Sequence, residues 1–232
     1  MKKVSVFLVG LLFLCVAASA NATLINVSGP ASSAGTAAAI VGAPTDLLDD
    51  LVLNTGMQGF DEAQGVVTTV DYAIDGGGII AAGTTVDSHM IFLNSEGTAQ
   101  LSHYDVVWTF DGIILGVMSD RGGTFEAAST NELGAPATNY TAPGSGTGPA
   151  APFDARGMEN YRYPREDGSF VFGDDGYLIS DDGYSIKVAM SVTEPGDWIR
   201  VVTASVPEPG TMLLLGLGLV GLAGVSRKKF LK

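Results

Sequence analysis

The sequence predicts an all-β protein: an antiparallel β-sandwich of jelly-roll-like type, with an N-terminal signal peptide and one C-terminal transmembrane helix. Three observations carry this. Between residues 66 and 204, short runs rich in Val, Ile, Thr and aromatic residues follow a period of two, the mark of strands with one buried face. Gly, Asp and Asn interrupt these runs at the roughly eight- to twelve-residue spacing of sandwich turns. No long amphipathic helix competes with them.

Taken in order, Met1, Lys2 and Lys3 supply positive charge ahead of the apolar run 4–18, and small residues follow. This is the layout of a secretory signal, expected to span 1–22, and its core is shorter than the roughly 20 residues a membrane helix needs. Ala18-Ser19-Ala20 and Ala20-Asn21-Ala22 both suit signal peptidase, so cleavage falls after Ala20 or Ala22. Residues 28–45, rich in Ala, Gly, Ser and Pro, read as a flexible lead-in or a meandering edge. Residues 46–54 read as a short helix with Leu47, Leu48, Leu51 and Val52 on one side.

Strands are expected at 66–74, 79–85, 89–94, 99–110 and 113–118, then a short helix at 124–133 stopped by Gly134. Residues 135–152 lose all periodicity and read as a long mobile loop. Strands resume at 169–172, 177–180, 184–193 and 198–204 as a meander. Its turns fall at Asp167-Gly168, Asp175-Gly176 and Asp182-Gly183, because Asp-Gly accepts positive φ. The expected core contains Trp108, Phe110, Ile114, Tyr184, Ile186, Val188, Met190, Trp198 and Val201.

The domain expected at 23–205 is long enough to bury a full core. Six of the 12 basic residues and one of the 25 acidic ones lie outside it, which leaves 6 against 24 and a formal charge of −18. Such a surface repels nucleic acid and anionic lipid, and it suits divalent cations, neutral glycans or basic proteins. The one cysteine, Cys15, leaves with the signal peptide, so the mature chain has no disulfide and no thiol chemistry. Leu14 before it also excludes lipidation, which requires a small residue there.

At the other end, Val206-Pro207-Glu208-Pro209-Gly210 precedes an apolar run at 211–226, and Arg227, Lys228 and Lys229 follow. Sixteen residues make a helix of about 24 Å, slightly short for a hydrocarbon core of about 30 Å, and able to span it if flanking residues snorkel. The basic cluster puts the terminus in the cytoplasm and the acidic body outside. Prolines on either side of Glu208 keep that tripeptide extended, open to a processing enzyme.

This three-part tail, 206–232, resembles the PEP-CTERM sorting signal. The resemblance implies that Pro207, Glu208 and Pro209 form the recognition motif and that Arg227, Lys228 and Lys229 form the basic stop. It also implies an exosortase-like transpeptidase as partner after the Sec machinery and signal peptidase, and an association with exopolysaccharide and biofilm production. The expected localisation is anchorage in the inner membrane before processing, then the cell surface or the medium. A looser resemblance covers 55–205, where 59–64, 88–92, 110–117 and 195–201 are similar to segments of uncharacterised PEP-CTERM β-sandwich ectodomains. That group has no established activity, so the likeness implies a fold and no chemistry.

Other motifs carry little. Gly216, Gly218 and Gly221 spell a dinucleotide-binding string, but inside the apolar run, where no strand delivers a phosphate loop. Gly144, Gly146 and Gly148 also lack a preceding strand. His89 and His103 are the two imidazoles, each beside a serine in sequence, yet neighbours on a strand point to opposite faces and make no triad. The chain is therefore expected not to be an enzyme and to need no cofactor. Asp167, Asp174, Asp175, Asp181 and Asp182 are the weak calcium candidates, without an EF-hand or a nonapeptide repeat. Residues 161–165, Tyr-Arg-Tyr-Pro-Arg, offer aromatic and cationic groups on which a glycan stacks, or else cover a sheet edge. No regular Thr rows of an ice-binding kind line the strands.

The leading expectation is a non-enzymatic surface or matrix protein. Its rivals are a carbohydrate- or ice-binding surface module, with extracellular polysaccharide as partner, and a secreted hydrolase that would hold His89 or His103 in a cleft beside a hydroxyl and a carboxylate.

Overall fold

The computed structural model describes residues 23–48, 51–140, 158, 162–193 and 196–206, within one compact unit, Asn21–Val206. Five strands lead in: β1 (Leu24–Ser28), β2 (Ala39–Ile40), β3 (Gln58–Asp61), β4 (Val66–Val67) and β5 (Tyr72–Ala73). A 3-10 turn at Asp75–Gly77 connects β5 to β6 (Ile79–Ile80). The long strands β7 (Thr85–Leu93) and β8 (Leu101–Phe110) follow, then β9 (Ile114–Met118) and the helix α1 (Thr124–Leu133). The chain closes with β10 (Gly176–Ile179), β11 (Ser185–Val192) and β12 (Asp197–Ala204).

One sheet has the order β1-β8-β11-β10 and is antiparallel throughout. The other has the order β2-β3-β7-β12-β9, with β4 also on β7, and is mixed because β2 runs parallel to β3. A small ribbon, β5-β6, stands apart. The all-β sandwich read from the sequence is the observed architecture.

The two large sheets bury one common core. Ile91 and Leu93 of β7, Val117 of β9 and Ile199 and Val201 of β12 pack with Val106, Trp108 and Phe110 of β8 and Ile186, Val188, Met190 and Val192 of β11. Each such side chain contributes about 1.5–3 kcal/mol of transfer free energy. The intervening residues of β7 and β12 are buried too, on the opposite face. Met90, Phe92 and Trp198 pack with Leu47, Phe60, Ala135 and Tyr140, while Val86, Met118 and Val202 pack with Tyr72, Ile80 and Leu133. The mixed sheet is therefore covered on both faces, and its outer cover is α1 with the segments around Leu47 and Tyr140.

Close packing shows at Gly59, where a Cβ would lie 2.7 Å from Cζ3 of the fully buried Trp108. Strand β8 carries a bulge between its pairs with Val188 and Met190. Asp105 lies there at φ 57°, and its carboxylate accepts the Phe170 N–H at 2.9 Å, a side-chain anchor that steadies a left-handed residue.

Several expectations need correction. Residues 46–54 form no helix among those described: Leu47 and Leu48 are buried, Leu51 is 63 % exposed, and Asp46 bridges to Asn139 instead. Tyr184 is 39 % exposed, because it lies in the turn before β11 rather than in the strand. Residues 169–172 form no strand; Phe170 is buried, but Val171 N–H turns back to the Asp174 carboxylate. The lead-in 28–45 is tied down, with β2 in the mixed sheet and Ser33 N–H on the Ser102 carbonyl. The stretch expected at 66–74 breaks into β4 and β5, and 79–85 into β6 and the start of β7. The first residues of the 135–152 loop are also fixed, since Ala135 and Tyr140 are buried.

Candidate ligand cleft and buried ionic network

A cleft of about 800 Å³ opens where the 3-10 turn, the β9–α1 connection, Met158, Arg162, Tyr163 and Tyr177 of β10 meet. Its back wall is held by Asp75. One carboxylate oxygen accepts the Ser119 N–H at 3.2 Å, and the other accepts the Ser119 hydroxyl at 2.6 Å and the Tyr177 hydroxyl at 3.0 Å. Gly76, at φ 76°, lets the chain turn there with open space where a Cβ would stand. Asp120, also in the lining, accepts the N–H groups of Thr124 at 3.0 Å and Phe125 at 2.7 Å and so caps α1. Backbone bonds from Met158 N–H to the Ser119 carbonyl and from Arg162 N–H to the Asp175 carbonyl bring the remaining wall alongside.

Arg121, Arg162 and Tyr163 also line the cleft, and Tyr163 is 85 % exposed. Among the described residues neither Arg121 nor Arg162 enters an ion pair. The sequence singled out 161–165 and so touched Arg162 and Tyr163; Tyr161 lies outside the described residues. It missed Asp75, Arg121 and Tyr177, which are far apart in the chain and carry no local motif.

The calcium candidates are engaged separately: all but Asp175, which is buried and reaches across to β11, stay within their own turns or face solvent. Asp167 accepts from Ser169, Asp174 from Val171 N–H, Asp175 from Ser191 N–H and Asp182 from Ser180 and Tyr184 N–H, while Asp181 is exposed. Bonding to Ser169 holds Asp167 below the ordinary carboxylate range, and bonding to Ser180 does the same for Asp182. Among the described residues no group of three or more His, Cys, Asp or Glu is placed to hold a metal ion.

The two imidazoles lie in separate places, both fully buried. His89 Nδ1 is 2.7 Å from an Asp61 carboxylate oxygen, and its Nε2 is 3.0 Å from the Thr203 hydroxyl. This has the make-up of a catalytic triad but lies between the sheets, with the ring against Phe110 at 4.7 Å. No substrate reaches it without opening the core. His103 Nδ1 accepts the Met57 N–H at 2.9 Å, which makes its Nε2 the donor to the Pro30 carbonyl at 2.9 Å. Burial lowers its pKa and keeps it neutral, against a weaker opposing pull from Pro30.

Beneath α1 the outer face of the mixed sheet holds a buried ion pair that the sequence did not disclose. Arg200 of β12 donates from Nε to Glu62 Oε2 at 2.7 Å and from Nη2 to Glu62 Oε1 at 2.8 Å. It also bonds the Glu126 carbonyl at 2.7 Å, Ser129 Oγ at 2.6 Å and Thr130 Oγ1 at 3.1 Å, so all five guanidinium donors are engaged. Glu62 accepts in addition from Tyr140 at 2.6 Å and Ser88 at 2.8 Å, which completes its lone pairs. A charged residue inside the run Trp198-Ile-Arg-Val-Val202 was the available signal, since a buried cation demands a partner.

Glu126 is the odd member. It is fully buried, and neither of its side-chain oxygens has a partner among the described residues. Burial pushes its pKa well up, reinforced by Asp120 and opposed by its own backbone and Arg200. The folded state therefore keeps a proton that the unfolded chain releases above its ordinary value of 4.5, and stability falls as pH rises through the raised folded pKa. Glu126→Gln removes the ionisation, so in urea unfolding it is expected to gain roughly 1 kcal/mol or more at pH 8 relative to its effect at pH 4. An equal effect at both pH values would show that Glu126 titrates normally.

Fold and cleft together define a class: a β-sandwich domain with a ligand-sized polar cleft, followed at once by a distinct C-terminal segment. Residues 205–228 match the family described as the PEP-CTERM protein-sorting motif, so the chain carries a PEP-CTERM sorting domain. No curated protein and no solved structure matches the chain. The motif implies an exported protein, anchored at its C-terminus before an exosortase-like enzyme sorts it. Pro207, Glu208, Pro209, the apolar run 211–226, Arg227, Lys228, Lys229 and the signal segment 1–22 lie outside the described residues. Among those described, no helix is long and apolar enough to cross a membrane.

Proposed function

We propose that this chain is a non-enzymatic surface or extracellular-matrix protein. Sec export and signal peptidase deliver it, the apolar run 211–226 holds it in the inner membrane, and an exosortase-like transpeptidase then cuts the tail and passes the domain to a surface bearing exopolysaccharide, as in a biofilm. The observation that carries this reading is the sorting match at 205–228, which begins directly after Ala204, the last residue of β12. The absence of an enzymatic role is supported by the two histidines of the chain, which are buried with every ring nitrogen engaged. Its role at the surface is to hold a ligand, a reading favoured by Arg162 and Tyr163 lining the cleft.

Intact mass of the surface form from the natural host tests the processing. The expected form lacks residues 227–232, and replacing Pro207, Glu208 and Pro209 with alanine is expected to leave the tail in place. A surface form that keeps its basic end with the native motif present would overturn the reading.

A further inference from the structure

We propose that the cleft binds a carboxylated sugar, its carboxylate on Arg121 and Arg162 and one sugar face on the ring of Tyr163. This deepens the reading of the domain as a non-enzymatic holder of surface ligands, and rests on it.

The residues between 23 and 205 include only six cations against 24 acids. Two others among the described residues are already committed: Arg200 to Glu62, and Lys187 to the Gly168 carbonyl with Asp105 at 3.9 Å. Arg121 and Arg162 come from opposite sides of the α1 region of the chain, yet both line this cleft, and neither is in an ion pair among the described residues. The two carboxylates of the lining are placed differently. Asp75 is held by Ser119 and Tyr177, and Asp120 by the first N–H groups of α1. The acids thus build the wall, while the guanidiniums remain available to an incoming oxyanion, for which their planar forks are suited.

Tyr163 adds an exposed ring, an amphipathic surface on which the C–H face of a sugar lies while its hydroxyls find polar partners. The size, about 800 Å³, falls within the usual range for small-ligand sites. The surrounding charge narrows the choice further. A long polyanion meets repulsion from the rest of this acidic domain, whereas a short uronate oligomer keeps most of its charge near the two arginines, since the field of the remaining acids fades over a Debye length of roughly 8 Å.

The test is calorimetric titration of the purified full-length protein in detergent with tetramers of galacturonic, glucuronic or mannuronic acid, and with a glucose tetramer as the neutral control. At least one acidic tetramer is expected to bind, at least tenfold more tightly than the glucose tetramer, and to weaken as salt rises from about 0.05 to 0.5 M. Arg121→Gln and Arg162→Gln are each expected to weaken it about tenfold, and Tyr163→Ala to weaken it irrespective of salt. All three side chains are exposed, so the variants are expected to keep the native melting temperature. Failure of all three acidic tetramers to bind, equal binding of the neutral one, or unchanged affinity in both arginine variants would overturn the proposal and leave the non-enzymatic reading intact. Cleavage of a bound tetramer would instead overturn that underlying reading.

Discussion

Arg200→Met is expected to destabilise the domain by about 3–5 kcal/mol, because it leaves Glu62 buried without its counter-charge. Ser88 and Tyr140 still donate to that carboxylate, but neutral hydroxyls do not offset a desolvated charge. For a domain of this size the loss corresponds to a fall in Tm on the order of 10 °C. Removing both partners, as Arg200→Met with Glu62→Leu, is expected to recover most of it, since exchanging a whole buried ion pair for apolar side chains is often near neutral. Urea unfolding of the two single variants and the double variant measures the coupling. A loss below about 1 kcal/mol in Arg200→Met would mean that water reaches the pair. The same arginine ties β12 to α1 through the Glu126 carbonyl and Ser129, so hydrogen exchange in the helix is expected to accelerate along with the loss.

The second large effect lies on the inner face. Trp108→Ala is expected to lose about 3–5 kcal/mol, as for other fully buried large aromatics. Gly59→Ala is expected to lose about 1–3 kcal/mol, because the new methyl meets a rigid ring at 2.7 Å. Combining Gly59→Ala with Trp108→Phe tests whether the clash is the cause. The smaller ring vacates the contested space and also removes an indole N–H that has no partner among the described residues. The pair is therefore expected to be less destabilised than the sum of its single variants. Strict additivity would locate the cost of Gly59→Ala in the backbone instead.

Legibility followed the number of covered faces. Strands β10 and β11, joined by the turn at Asp182-Gly183, were read closely from the sequence, as was α1 with Gly134 after it, whereas the turn expected at Asp175-Gly176 falls at Phe172-Gly173, where Gly173 has φ 91°, and Gly176 already belongs to β10. β7 was harder. It was read as starting at 89, but it begins at Thr85, because Asp87 and Ser88 look like a polar break. Both are buried: the Asp87 carboxylate takes the Gly65 N–H and Ser88 donates to Glu62. A strand covered on both faces hides its period of two, since polar residues with buried partners take positions that the pattern assigns to solvent. The helix expected at 46–54 failed for a related reason. Leu47 and Leu48 are held by the outer face of the mixed sheet, so they do not form a helical stripe.

By itself the sequence determined the β class, the acidic character and the sorting motif after the last strand. Each of these depends on composition or on residues adjacent in the chain. The tertiary structure alone decided that Glu62 meets Arg200, that His89 is sealed between Asp61 and Thr203, and that Arg121 and Arg162 share one cleft. The members of each set are brought together by sheet order and register, which the periodicity of separate strands does not encode.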